Sequence, residues 1–263
     1  MEQKLEKRFG KDLLQRAKAT LDGMSLKEKI GQTMCVGIDG FELEEEAKDL
    51  IKNHALGGII LFGRNIQSVP QVARLVWQIQ KTSRDAGHPG LFIAIDQQGG
   101  RVLRLNEEHG FTETLSGLGL GAVNDPDVAY RAGKILAEEM EAVGINWNLA
   151  PNIDPSKPRG AWKGDKTQPF SMHQDVVGEL GAAFIRGTQE FKVMGTMKHF
   201  PGSTSHPVGM GVDGHLGLNT ELDTFDEMDK WSWIPFRISK RAKPASVMIT
   251  HNAYPNTGTP GGI

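Results

Sequence analysis

A chain of 263 residues with 38% hydrophobic side chains is long enough to bury one large core and fits a single α/β barrel domain, a fold that often runs to ~250 residues. A formal net charge of −2 and no clustered basic stripe exclude a nucleic-acid partner, and the lone cysteine, Cys35, excludes an internal disulfide. No apolar run is long enough to span a bilayer, which excludes a membrane partner.

The chain opens on Met1-Glu2-Gln3-Lys4-Leu5-Glu6-Lys7-Arg8, charged where a secretory signal needs an apolar run, so the expected setting is cytoplasmic. Leu5, Phe9, Leu13, Leu14, Ala17 and Leu21 recur at helical spacing, which predicts an N-terminal helical extension over residues 1–24. Ser25-Leu26-Lys27-Glu28 has the form of a capping box and opens a second short helix. A first strand is expected near Gln32–Gly37, where Met34-Cys35-Val36 places Cys35 as a small buried hydrophobe.

From there a rhythm sets in. Polar helical segments over 42–53, 68–86, 125–143, 171–191 and 222–242 each precede a short apolar run: Gly57–Phe62, Leu91–Asp96, Ile145–Ala150, Val193–Lys198 and Ser246–Thr250. Short apolar runs alternating with longer helices are the signature of a parallel sheet with crossover helices. The fold class is therefore α/β, a TIM-type (β/α) barrel with six strand–helix units in place of eight, occupying 1–263 as one domain. Residues 255–263 read as a loop-like tail. Trp147, between Asn146 and Asn148, is expected to point into the helix layer. Trp231 and Trp233 are expected to pack, with a sugar-stacking platform as the alternative.

The polar residues fall in a consistent place. Asp96 ends the third strand, Asn148 and Asp154 lie at the end of the fourth, Lys198 and His199 end the fifth, and His251 ends the sixth. The carboxyl ends of parallel barrel strands form the active face, so these side chains are expected at one mouth.

Six ordered stretches carry a family resemblance: Gly57–Phe62, Asp96-Gln97-Gln98-Gly99-Gly100-Arg101-Val102-Leu103-Arg104, Leu149–Asp154, Lys198-His199-Phe200-Pro201-Gly202, Asp213-Gly214-His215-Leu216-Gly217-Leu218, and Val247–His251. Over about residues 25–255 the chain resembles the N-terminal barrel domain of glycoside hydrolase family 3, in its β-N-acetylhexosaminidase branch, which the Asp-x-His loop marks. The resemblance implies a retaining glycosidase that removes terminal β-linked N-acetylglucosamine in peptidoglycan turnover and needs no metal or other cofactor. It implies that Asp96, Arg104, Lys198 and His199 bind the terminal sugar. A carboxylate accepts from paired hydroxyls while Lys and His donate to the same oxygens. His215 would be the general acid/base and Asp213 its orienting partner, since an imidazole titrates near neutrality.

The chain departs from the family in named places. A retaining enzyme needs a nucleophile about 5–5.5 Å from the acid in the usual two-carboxylate arrangement. The family supplies it as an aspartate on the seventh strand, whereas this chain has no Asp or Glu after Asp229. The expectation is a product truncated before that strand, with a homo-oligomer covering the open edges. Gln98 stands where the family has Glu, and Gln168 where it has a sugar-binding Arg, for which Lys163 or Lys166 could substitute. The loop from Gly202 to Asp213 gains His206. Two alternatives stand beside the glycosidase reading. One is a sugar-binding chain without chemistry. The other is a metal-dependent barrel hydrolase built on His199, His206, His215, His251, Asp96, Asp154 and Asp213.

Overall fold

The computed structural model of the chain describes residues 2–155, 167–202 and 217–258. Three helices lead in: α1 (Glu2–Phe9), α2 (Lys11–Gly23) and α3 (Leu26–Gly31). The capping box at α3 is formed, with Ser25 Oγ accepting from the Glu28 N–H at 3.3 Å and the Glu28 carboxylate accepting from the Ser25 N–H at 2.7 Å. α2 buries no residue, and the periodic Leu13 and Leu21 stay about half exposed.

The rest follows the strand–helix rhythm: β1 (Cys35–Gly37), α4 (Glu45–His54), β2 (Gly58–Leu61), α5 (Val69–Asp85), β3 (Phe92–Ile95), then a hairpin of β4 (Gln97–Gly99) and β5 (Val102–Leu103). After it come α6 (Gly117–Val123), α7 (Pro126–Ala142), β6 (Trp147–Asn148), α8 (Gln174–Gln189), β7 (Met194–Phe200), α9 (Phe225–Lys230), α10 (Trp233–Ser239) and β8 (Ser246–Ile249). Six strands pair in parallel in the order β1-β2-β3-β6-β7-β8. Apart from the hairpin, strands consecutive in sequence are neighbours in the sheet, as crossover connections dictate. This is an incomplete TIM-type barrel, with β1 and β8 as its edges.

One sheet face carries Ile59, Leu61, Ile93 and Ile95, all fully buried, against the equally buried Ile51 of α4 and Val72, Leu75 and Ile79 of α5. That apolar layer between sheet and helices is the core. The opposite, inner face carries Phe92, Ala94, Trp147 and Met194, aligned by register. Trp147 therefore lies on the inner face and not in the helix layer. Its Nε1 is 2.9 Å from both Thr196 Oγ1 and Ser246 Oγ, and its ring meets Phe92 edge-on at 5.7 Å.

Cys35 is likewise a correction: it is exposed, because edge strand β1 turns it onto the inner face where no further strand covers it. Neighbouring atoms still desolvate the thiol and push its pKa up. Native protein should thus titrate with an aromatic disulfide reagent at one thiol per chain, more slowly than free cysteine at the same pH, because less of it is thiolate. The helical segment expected over 222–242 is broken at Trp231, giving α9 and α10 in place of one helix. Trp233 packs as expected, its ring stacked on Phe200 at 6.5 Å. Among the described residues no helix is long and apolar enough to cross a membrane.

Candidate active site

The carboxyl ends of β3 and β7 deliver the central pair. Asp96 follows Ile95 directly, and Lys198 lies within β7, so the sheet carries both to the same mouth. Lys198 Nζ donates to Asp96 Oδ1 at 2.5 Å, with side chains 4% and 19% exposed. A charge-assisted bond this short, nearly out of water, fixes the carboxylate before any ligand arrives.

The next residue makes the second pair. Asp154 Oδ1 accepts from the His199 backbone N–H at 3.2 Å, and its Oδ2 lies 2.8 Å from His199 Nδ1. A carboxylate accepts, so Nδ1 carries a proton and Nε2 is the ring atom left for a ligand. Asp154 is placed by the strand-like run after β6. Thr196 N–H donates to Ala150 O at 2.9 Å and Ile153 N–H to Lys198 O at 2.8 Å, so this run lies alongside β7.

Arg104 directly follows β5, the second strand of the hairpin. The Gln97 side chain, wholly buried, works as a pivot: its Oε1 accepts from the Arg104 N–H at 2.9 Å and the Leu105 N–H at 3.1 Å, while its Nε2 donates to Leu105 O at 2.7 Å. At the tip, Gly99 and Gly100 have φ of +93° and +60°. A Cβ on Gly99 would lie 2.2 Å from Leu115 O, so only glycine permits both the backbone and the approach. Arg104 Nε and Gln98 Oε1 are both out of solvent with no hydrogen-bond partner among the described residues.

The structure thus brings together Asp96 with Lys198, and Asp154 with His199. Asn148 is turned away from that role, since its amide accepts from the Gln97 N–H at 3.1 Å and donates to Gln97 O at 2.9 Å, fixing the step from β3 into the hairpin. Gln168 lies beside Asn152, whose Nδ2 reaches its Oε1 at 3.4 Å. His251 is exposed just after β8. Asp213, His215, His206, Lys163 and Lys166 lie outside the described residues. Among the described residues no group of three His, Cys, Asp or Glu side chains is placed to hold a metal. The expectation from sequence passes over Gln97 and the hairpin, although Gly99-Gly100 between two short runs is a hairpin signal.

A half-barrel with this paired polar mouth belongs to glycosyl hydrolase family 3: the family's N-terminal domain model matches residues 25–260. In sequence the chain is similar to the Beta-hexosaminidase of Neisseria gonorrhoeae (strain ATCC 700825 / FA 1090), 35% identical over 229 residues, covering 84% of this chain and 60% of that protein. It is also similar to Beta-hexosaminidase A of Pseudoalteromonas piscicida, 33% identical, covering 81% of this chain and 36% of that protein. In structure it resembles the family 3 beta-N-acetylglucosaminidase of Paenibacillus sp. str. FPU-7, with a TM-score of 0.81 at 34% identity, covering 88% of this chain and 42% of that one. NagZ of Neisseria gonorrhoeae, in complex with N-trifluoroacetyl-D-glucosamine, superposes with a TM-score of 0.74 at 33% identity, covering 86% of this chain and 65% of that one. The chain spans roughly a third to two thirds of the length of these relatives.

Proposed function

We propose that this chain removes terminal β-linked N-acetylglucosamine from peptidoglycan-type glycans with retention of configuration. The observation that carries the reading is the buried Asp96–Lys198 pair flanked by the Asp154–His199 pair, in a family whose solved NagZ holds an N-acylglucosamine analogue. Asp96 would accept from two neighbouring hydroxyls of the terminal sugar. Lys198 and His199 would donate to the same oxygens, and Arg104 Nε, without a partner among the described residues, supplies a further donor. His215 would protonate the leaving oxygen and then take a proton from water, with Asp213 supporting its charged form. The nucleophile role is open, since no Asp or Glu follows Asp229. A homo-oligomer would cover the edge strands β1 and β8.

The test is hydrolysis of a chromogenic aryl β-N-acetylglucosaminide by the 263-residue chain. Turnover should fall by about 10²-fold or more in Asp96→Ala, and by about 10²–10⁴-fold in His215→Ala when the leaving group is poor. A second reading, a binder without chemistry, makes a different prediction. That protein would bind N-acetylglucosamine saturably, lose binding in Asp96→Ala and release no aryl alcohol at any protein concentration.

A further inference from the structure

An open groove of about 320 Å³ lies on the outer wall, between α4 and the second half of α5. It is separate from the mouth: Asp85 closes α5 before the amino end of β3, whereas Asp96 follows the carboxyl end of that strand. Helical periodicity builds the groove. Ala47 and Ile51 of α4, and Leu75, Val76 and Ile79 of α5, turn into the core, so the residues beside them, Lys48, Lys52, Trp77 and Lys81, line the outside. Trp77 is 55% exposed, more than any other described Phe, Tyr or Trp. A tryptophan ordinarily buries most of its large apolar surface, so a ring left open among charges is the feature that needs a purpose.

The charges around the ring are already arranged. Lys48 Nζ donates to Glu45 Oε1 at 2.6 Å, and Lys81 Nζ donates to Asp85 Oδ2, which leaves the second oxygen of each carboxylate without a hydrogen-bond partner among the described residues. Lys52, the third lysine of the lining, makes no ion pair among the described residues. Gln78 Oε1 is out of solvent with no partner there either, so a turn of its amide presents an acceptor that the fold leaves unused. An apolar helix does not suit so charged a lining, and a polyanion would meet Glu45 and Asp85. A saccharide suits it: the C–H face of a pyranose ring packs on an aromatic ring, and hydroxyls at its rim both donate and accept. Three lysines against two carboxylates favour a sugar that itself carries a carboxylate. We propose that the α4–α5 groove is a second glycan site, in which Trp77 stacks on a sugar ring and Lys52 pairs with a carboxylate of the same strand. The acidic sugar follows from the lining; its membership of a peptidoglycan-type strand rests on the proposed function. The groove would hold a long glycan against the outer wall while its end is processed at the mouth.

The experiment is calorimetric titration of the full chain carrying Asp96→Ala, which disables the mouth, with two soluble glycans of equal length. One alternates N-acetylglucosamine with N-acetylmuramic acid and so bears carboxylates; the other contains N-acetylglucosamine alone. The Asp96→Ala chain should still bind the acidic glycan, and more tightly than the neutral one. Adding Trp77→Ala should weaken both by about 10-fold, and Trp77→Phe, which keeps part of the platform, should fall between. Adding Lys52→Gln should weaken the acidic glycan alone, by about 3-fold at low salt and less as salt is raised. Asp96→Ala protein that binds neither glycan overturns the site, as does binding that is indifferent to Trp77→Ala. Equal weakening of both glycans by Lys52→Gln overturns the carboxylate preference. A parent that sediments as a dimer and becomes a monomer in Trp77→Ala also overturns the proposal, because a second copy would then cover the groove. Binding is read without turnover, so the groove is judged independently of whether the parent chain hydrolyses anything.

Discussion

Lys198→Met should lower the unfolding free energy by about 3 kcal/mol, toward the low end of the cost of breaking a buried ion pair from one side. The Lys198 side chain is 4% exposed, and its Nζ lies 2.5 Å from a carboxylate that is 19% exposed. Methionine fills much of the same volume, so the loss is the charge and its donors, not a cavity. Asp96 would be left as an unpaired carboxylate at the mouth, with water reaching it on one side only; that partial access holds the figure to the low end. Urea unfolding of four proteins checks the idea: the parent, Asp96→Asn, Lys198→Met and the double variant. The double variant should be more stable than Lys198→Met alone, because the uncompensated charge is gone. Strictly additive effects would mean that the pair contributes nothing as a pair. The same variant should lose N-acetylglucosamine binding if Lys198 donates to the sugar as proposed.

That pair was legible in the chain, and the reason is geometric. In a parallel strand buried on its outer face, the first polar residue after the apolar run must emerge at the carboxyl end, as Asp96 does after Phe92–Ile95. Lys198 and His199 lie near the carboxyl end of β7, and the crossover rhythm counts the six strands. Recognising ordered motifs added the family, which residues 25–260 match.

What escaped the sequence depended on contacts between segments far apart along the chain. The two-residue strand Trp147–Asn148 is too short for alternation to set its phase. Only pairing with Ala94 and Met194 decides that Trp147 faces inward. Cys35 sits in an apolar run, but the run is an edge strand, and nothing local says which strands lack a neighbour. Gln97 reads as one polar residue among several, yet it is fully buried and holds the backbone of Arg104 and Leu105. The bond from Tyr254 Oη to Gly202 O gives no local signal, because the two residues are 52 apart. Each of these is a tertiary decision, and propensity carries no information about it.

Gly121→Ala should destabilise the fold by about 3 kcal/mol, at the upper end of overpacking costs. Gly117 and Gly121 lie one turn apart on α6, and each takes the carbonyl of a passing segment where a side chain would be. A Cβ on Gly121 would stand 1.6 Å from Phe170 O, and one on Gly117 would stand 1.9 Å from Gln168 O. A backbone oxygen has no rotamer to escape to. The segment is also pinned, by the Leu118 N–H donating to Thr167 O at 2.9 Å and by Phe170, 2% exposed in the core. Alanine therefore has to push the whole Thr167–Phe170 stretch off the helix, and Gln168, whose Oε1 meets Asn152 at 3.4 Å, moves with it. Gly119→Ala is the control on the same helix. Its nearest atoms are Leu115 Cβ at 3.3 Å, Ser116 Oγ at 3.5 Å and Leu115 Cδ2 at 3.6 Å, close to ordinary contact and none of them a backbone carbonyl, so the effect should stay within about 1 kcal/mol. Equal thermal stability of the two variants would show that α6 does not hold the Gln168 segment against the site.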